Sequence, residues 1–194
     1  VAFSLTITGF VQLAFTRFTA DRLFEKRADI ILPNFNGLLL WVTLVTGVLG
    51  MLVIIFLFPQ QSIMYRLLML AGFVVMSDIW IATIFLSGMK QYKAILNSFA
   101  VGYGCTVGFA LLLRPFNLEG LLGGFVLGQF ILLIGMVILI LRNYPSRYFI
   151  AFDFAKKKMF FWSLVWVGFF YNFGLWLDKF MFWFYEPTSQ PIIG

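Results

Sequence analysis

The stretch FNGLLLWVTLVTGVLGMLVIIFLF, residues 35–58, contains no charged side chain and no proline. A helix rises about 1.5 Å per residue and a bilayer's hydrocarbon core is about 30 Å thick, so roughly 20 helical residues cross it. This run is long enough. A membrane-barrel strand would instead show about ten residues of alternating polarity, and Leu52, Val53, Ile54, Ile55, Phe56, Leu57 and Phe58 do not alternate. Hydrocarbon offers no partner to an exposed N–H or C=O, so such a run must close its own backbone hydrogen bonds as a helix.

Similar apolar blocks lie on either side, at about residues 1–16, 66–89, 94–113, 120–141 and 159–185. The polar connections at 17–32 and 142–158 separate them into about six helices. The prolines, Pro33, Pro59, Pro115, Pro145, Pro187 and Pro191, fall between or just outside the blocks, where they break no helical hydrogen bond. Of the 194 residues 62% are hydrophobic and 11% charged, and the mean hydropathy is +0.96; soluble domains are about a quarter charged. The expected fold is an all-α polytopic membrane helix bundle with no soluble domain. Val1 sits inside an apolar run without an initiator Met or a signal-peptide charge pattern, and Gly194 follows another block closely. The chain is therefore expected to be an internal fragment of a longer protein.

The sequence has no histidine, which removes the commonest general base, the usual zinc-ligand sets and any Ser-His-Asp arrangement. Cys105 has no partner for an internal disulfide and reads as a small apolar thiol. No Gly-rich phosphate loop, carboxylate pair at hydrolase spacing, metal cluster or cofactor motif is present, so neither an enzyme nor a cofactor is expected. The net charge of +6 does not signal nucleic acid, because the basic residues are dispersed among the connections rather than gathered in one stripe.

Their distribution sets the orientation. Arg17, Arg22, Lys26 and Arg27 follow the first block, Lys90 and Lys93 the third, and Arg142, Arg147, Lys156, Lys157 and Lys158 the fifth; the opposite connections hold only Arg66 and Arg114. The positive-inside rule places the odd-to-even connections in the cytoplasm and both ends of the chain outside. Arg17, Arg22, Lys26, Arg27, Lys156, Lys157 and Lys158 are thus the candidates for docking a cytoplasmic partner. Arg17 and Asp21 stand at helical spacing, which continues the first helix past the membrane.

Five polar residues at membrane depth are the candidates for a transport path: Asp78, Gln129, Asn172, Asp178 and Lys179. A charge at mid-bilayer costs about 2.5 to 3.5 kcal/mol on insertion scales. Asp78 therefore either lines or couples a path, or packs as a neutral or hydrogen-bonded carboxyl. Gln129, Thr43, Thr46, Tyr103 and Thr106 either join Asp78 in a polar layer or form separate bonds between helices. Adjacent side chains diverge by about 100° on a helix, so Asp178 and Lys179 are expected to pair elsewhere or to sit at the interface with Lys179 snorkelling. Gly120, Gly124 and Gly128, and Gly104 with Gly108, have the spacing that lets helix backbones approach closely. The six tryptophans suit interfacial belts, packing or stacking on sugars.

The run Thr16, Arg17, Phe18, Thr19, Ala20, Asp21, Arg22, Leu23, Phe24, Glu25, Lys26, Arg27, with Ile31, Leu32, Pro33 and Asn34 beyond it, resembles the PelG family of exopolysaccharide exporters. Tyr171, Asn172, Phe173, Gly174, Leu175, Trp176, Leu177, Asp178, Lys179 is similar to it as well, and so are the Asp78, Ile79, Trp80 region and Gly120 to Gln129. The resemblance covers essentially the whole chain. It implies a flippase-superfamily transporter with two six-helix lobes and alternating access, of which this fragment would hold helices two to seven. It also implies an inner-membrane complex exporting Pel, a polymer rich in N-acetylgalactosamine, with a cytoplasmic glycosyltransferase and a cyclic-di-GMP receptor as companions.

The expected function is therefore polysaccharide export across the cytoplasmic membrane. Two alternatives stand beside it: a non-transporting scaffold that anchors a glycosyltransferase through the basic loops, and a small-solute or drug antiporter of the same superfamily.

Overall fold

A computed structural model describes residues 2–146, 148–156 and 161–184. Among these are six long helices and no strand: α1 (Ala2–Phe24), α2 (Ile31–Leu57), α3 (Ile63–Gly88), α4 (Tyr92–Leu112), α5 (Asn117–Asn143) and α6 (Trp162–Phe184). The fold is all-α, a helical bundle. α1 runs on into the charged run that follows its apolar part, as far as Phe24. α2 begins at Ile31, so the polar connection there is shorter than the 17–32 expected. Pro33 accordingly lies in the first turn of α2, where a missing N–H forfeits no intrahelical bond.

Helices α2, α3, α4 and α5 are long and apolar enough to cross a membrane. α1 and α6 have 23 residues each and do not meet that measure: α1 carries Ser4, Thr6, Thr8 and Gln12, and α6 carries Asn172, Asp178 and Lys179. These two helices pack on each other. Gly9 and Gly168 form their crossing point, and a Cβ on Gly9 would stand 3.0 Å from the Gly168 carbonyl oxygen. Much of α1's polar surface is thereby hidden from lipid.

The α4–α5 seam is similarly close. A Cβ on Gly124 would meet the Ala110 nitrogen at 2.5 Å and one on Gly128 the Thr106 nitrogen at 2.6 Å, and one on Gly120 would run into Leu113 and Phe116. Gly104 and Gly108 do not take part: a Cβ on either finds nothing within 4 Å. They share α4 with the seam but lie on another of its faces, and α4's own close point is Gly102, opposite Leu132.

Aromatic packing gathers one end of the bundle. Phe85, near the end of α3, lies 6.2 Å from Phe15 of α1, 4.7 Å from Phe35 of α2 and 5.9 Å from Tyr144 just beyond α5. At the other end Ser62 caps α3 through the Tyr65 N–H, at 3.1 Å, and donates to Glu119 at the start of α5. The odd-to-even connections therefore share one end and the even-to-odd connections the other, as the charge bias requires. α1 and α3 both close at the basic end with the N–H of Arg27 on Arg22 O and that of Gln91 on Leu86 O, with Lys26 and Lys90 at positive φ between. A helix C-terminus so closed has its last carbonyls satisfied, and basic residues suit its dipole. On the outside, Leu44, Val48 and Phe56 of α2, Val101, Val107 and Leu111 of α4, and Phe170 and Met181 of α6 are exposed, a surface suited to lipid.

The connection from α5 to α6 is latched to the start of α2. Asn34, fully buried, accepts from the Asp153 N–H at 2.6 Å and the Phe154 N–H at 3.2 Å, and donates to Ile30 O and Asp153 Oδ2. Ala151 N–H donates to Pro33 O, Asn36 to Phe149 O and Ser146 to Asp29 O. Phe154 fills the core between these strands of chain. Lys156, 2.6 Å from Asp153, and the amide of Asn34 hold the Asp153 carboxyl below the usual aspartate value of 3.8. Because the folded value is depressed, this stabilisation is present above that value and is lost as the pH falls through the lower folded one. Acidification below about pH 4 should therefore loosen residues 148–156 before the helices separate; limited proteolysis across a pH series would show it as cleavage confined to that connection.

Candidate functional site

The polar residues at membrane depth sit at three separate seams rather than in one layer. The first joins α2 and α3. Asp78 is 5% exposed, and its Oδ2 lies 2.8 Å from Thr43 Oγ1. Its Oδ1 is buried and has no hydrogen-bond donor. Thr46 turns back to Val42 O, at 2.7 Å, in place of Asp78.

The second seam joins α4 and α5. Gln129, 1% exposed, donates to Thr106 Oγ1 at 3.3 Å, and Thr106 donates to Gly102 O. Gly128, beside Gln129, brings α4 close enough for that bond. Nothing described links this pair to Asp78, and Tyr103 is exposed. The third seam joins α1 and α6. Asn172, 6% exposed, donates to Gln12 Oε1 at 3.3 Å and to Gly168 O at 3.0 Å. Gln12 in turn donates to Thr8 Oγ1, and Trp80 of α3 donates to Ser4 Oγ. Ser4, Thr8, Gln12 and Thr16 thus form a polar ladder along one face of α1.

Asp178 and Lys179 are exposed and, against expectation, pair with each other at 3.3 Å. The divergence of adjacent Cβ directions does not forbid this, because the lysine stem folds back: its Nζ also lies 3.4 Å from Leu175 O and 5.2 Å from the Trp176 ring. The cluster lies towards the end of α6 away from the basic connections.

At the basic end, Arg17 pairs with Asp21 at 3.1 Å and stands over the Phe161 ring. Arg22 pairs with Glu25 and stands over Phe18, with its Nε buried and unbonded. Lys156 is held by Asp153. Lys26 and Arg27 lie in the exposed turn between α1 and α2; Lys157 and Lys158 fall outside the described residues. No group of three or more potential metal ligands occurs among the described residues.

An apolar cleft of about 460 Å³ opens between α1, α2, α6 and the latched connection, bordered by Phe10, Val11, Trp41, Leu49, Phe154 and Trp162. Its described lining is almost wholly apolar. The arrangement supplies buried hydrogen-bonding groups at the contacts between helices.

No curated protein and no solved structure matches the chain. The model of the family described as "PelG: Putative exopolysaccharide Exporter (EPS-E)" matches residues 1–194, the whole length. A membrane protein of helical hairpins with buried polar groups at the helix seams fits that description, and the chain belongs to the PelG family of exopolysaccharide exporters.

Proposed function

We propose that this chain is part of an inner-membrane transporter that carries a Pel-type, N-acetylgalactosamine-rich polysaccharide across the cytoplasmic membrane. The family match over every residue carries this reading. All six helices cross the bilayer in it, with α1 and α6 shielding each other's polar groups, and the basic end faces the cytoplasm. The Ser4, Thr8, Gln12 ladder with Asn172, and the Asp78 and Gln129 seams, then supply hydroxyl and amide groups that replace water around sugar hydroxyls as helices part. A cytoplasmic glycosyltransferase and other inner-membrane export subunits are the natural partners of the basic end. Among the described residues Arg17, Arg22 and Lys156 are already paired within the chain, which leaves Lys26 and Arg27 in the exposed turn the readiest of these to meet them.

The test is polymer secretion by cells carrying Asp78→Asn or Asp178→Asn in the full-length protein. Asp78→Asn should lower secretion about tenfold or more, equivalent to about 1.4 kcal/mol in a barrier, with membrane insertion intact. Normal secretion from that variant removes Asp78 from the transport machinery. Asp178, exposed beside Lys179, should respond more weakly.

A further inference from the structure

The hydroxyl of Thr43 has two acceptors and one proton. Its Oγ1 lies 2.9 Å from Leu39 O in its own helix and 2.8 Å from Asp78 Oδ2 in α3. If Asp78 is ionised, Thr43 Oγ1–H can turn to it while Leu39 O keeps its helical bond, but the carboxylate is left with that one donor for two oxygens, one of which is buried with none at all. If the carboxyl carries a proton, the count closes: Asp78 Oδ2–H donates to Thr43 Oγ1, and Thr43 Oγ1–H donates to Leu39 O. Both bonds are then complete, and Oδ1 is left as a neutral carbonyl, which is far cheaper to bury than an anion.

No cation competes for this role among the helices packed around Asp78. α2 has no charged residue. α1 has none before Arg17, α5 none between Glu119 and Arg142, and α4 only Lys93 in its first turn. Within α3 the other charge, Arg66, is three turns away, and Tyr65 lies beside it. The carboxyl therefore has no ion pair to hold it charged.

We infer that Asp78 is a proton-carrying site, in which the carboxyl proton bridges α3 to Thr43 of α2 and is exchanged when that seam opens. Its loss leaves two buried carboxylate oxygens facing one hydroxyl proton, an arrangement relieved when α2 moves away and water enters. The proton passes to that water, and its return from the opposite side closes the seam. Binding and release of one proton would thus be tied to separation of two helices. This exchange role rests on the exporter reading; the protonation does not.

The experiment uses the full-length protein in lipid nanodiscs at neutral pH, with aspartate carboxyls labelled with carbon-13, and infrared spectroscopy of the carbonyl region. Asp21 and Asp153 are paired with cations and Asp29 and Asp178 are exposed, so a protonated band is assigned to Asp78 by its loss in Asp78→Asn. The wild-type protein should show a protonated carboxyl band that shifts with the label, is lost in Asp78→Asn and moves in Thr43→Val. A labelled wild type without any protonated aspartate band overturns the site even if a variant fails to fold. Only ionised carboxylate bands, or a protonated band unaffected by both variants, would overturn the site. In vesicles that export polymer, the rate should follow an imposed proton gradient and lose that response in Asp78→Asn; a gradient-independent rate would overturn the exchange role. A wild-type protein that moves no polymer yet shows the band refutes the exporter reading and supports the proton site.

Discussion

Replacing Gly128 with alanine should destabilise the bundle by about 3 kcal/mol or more, at the upper end of what overpacking costs. The added Cβ would come within 2.6 Å of the Thr106 backbone nitrogen and closer still to its hydroxyl. Backbone, unlike a long side chain, has no rotamer to escape into, so α4 and α5 must move apart, and the Gln129–Thr106 bond goes with them. Gly135→Ala in the same helix is the control. Its Cβ meets nothing within 4 Å, and alanine's better helix propensity makes that change neutral or stabilising by up to about 1 kcal/mol. Thermal unfolding of both variants in the same detergent measures the difference. Equal stability would show that the α4–α5 crossing is looser than described.

Asn34→Leu should have the next largest effect. It leaves the N–H groups of Asp153 and Phe154 without their acceptor, in a place where Asn34 is fully buried. Each buried group so stranded costs about 1 to 3 kcal/mol. The expected outcome is release of residues 148–156 from the start of α2 and withdrawal of Phe154 from the core. Proteolysis within that connection should become rapid at neutral pH, while the helices themselves resist. Gly37→Leu should do the same by another route, since even a Cβ at Gly37 collides with the Ala151 carbonyl. If neither substitution exposes the connection, the latch does not hold it.

The helices were legible because lipid leaves so little choice: apolar runs of bilayer length must be helical, and lysines and arginines cluster on one face. The boundary at Ile31 was less legible, because a proline at Pro33 suits the first turn of a helix as well as a loop. What the sequence concealed were partnerships across long separations. Asn34 and Asp153 are far apart in the chain, and no periodicity connects them. The Ser4, Thr8, Gln12, Thr16 ladder did leave a signal, four polar residues on one face of an otherwise apolar helix, and Asn172 is its natural partner. Asp78 and Gln129 stood out as costly at membrane depth, but composition could not show that they belong to different seams. The misreading of Asp178 and Lys179 came from treating Cβ directions as side-chain reach, which fails for a residue with a four-carbon stem.

The account depends on links that alternate between opposite faces of the bilayer. Cysteines placed singly at Gln60 and Gln91, in full-length protein with Cys105 changed to serine, can be challenged in intact cells with a membrane-impermeant maleimide. Gln60 should label from outside, and Gln91 only after the membrane is broken. Labelling of both positions from the same side would contradict the alternation, and with it the orientation of every seam described above.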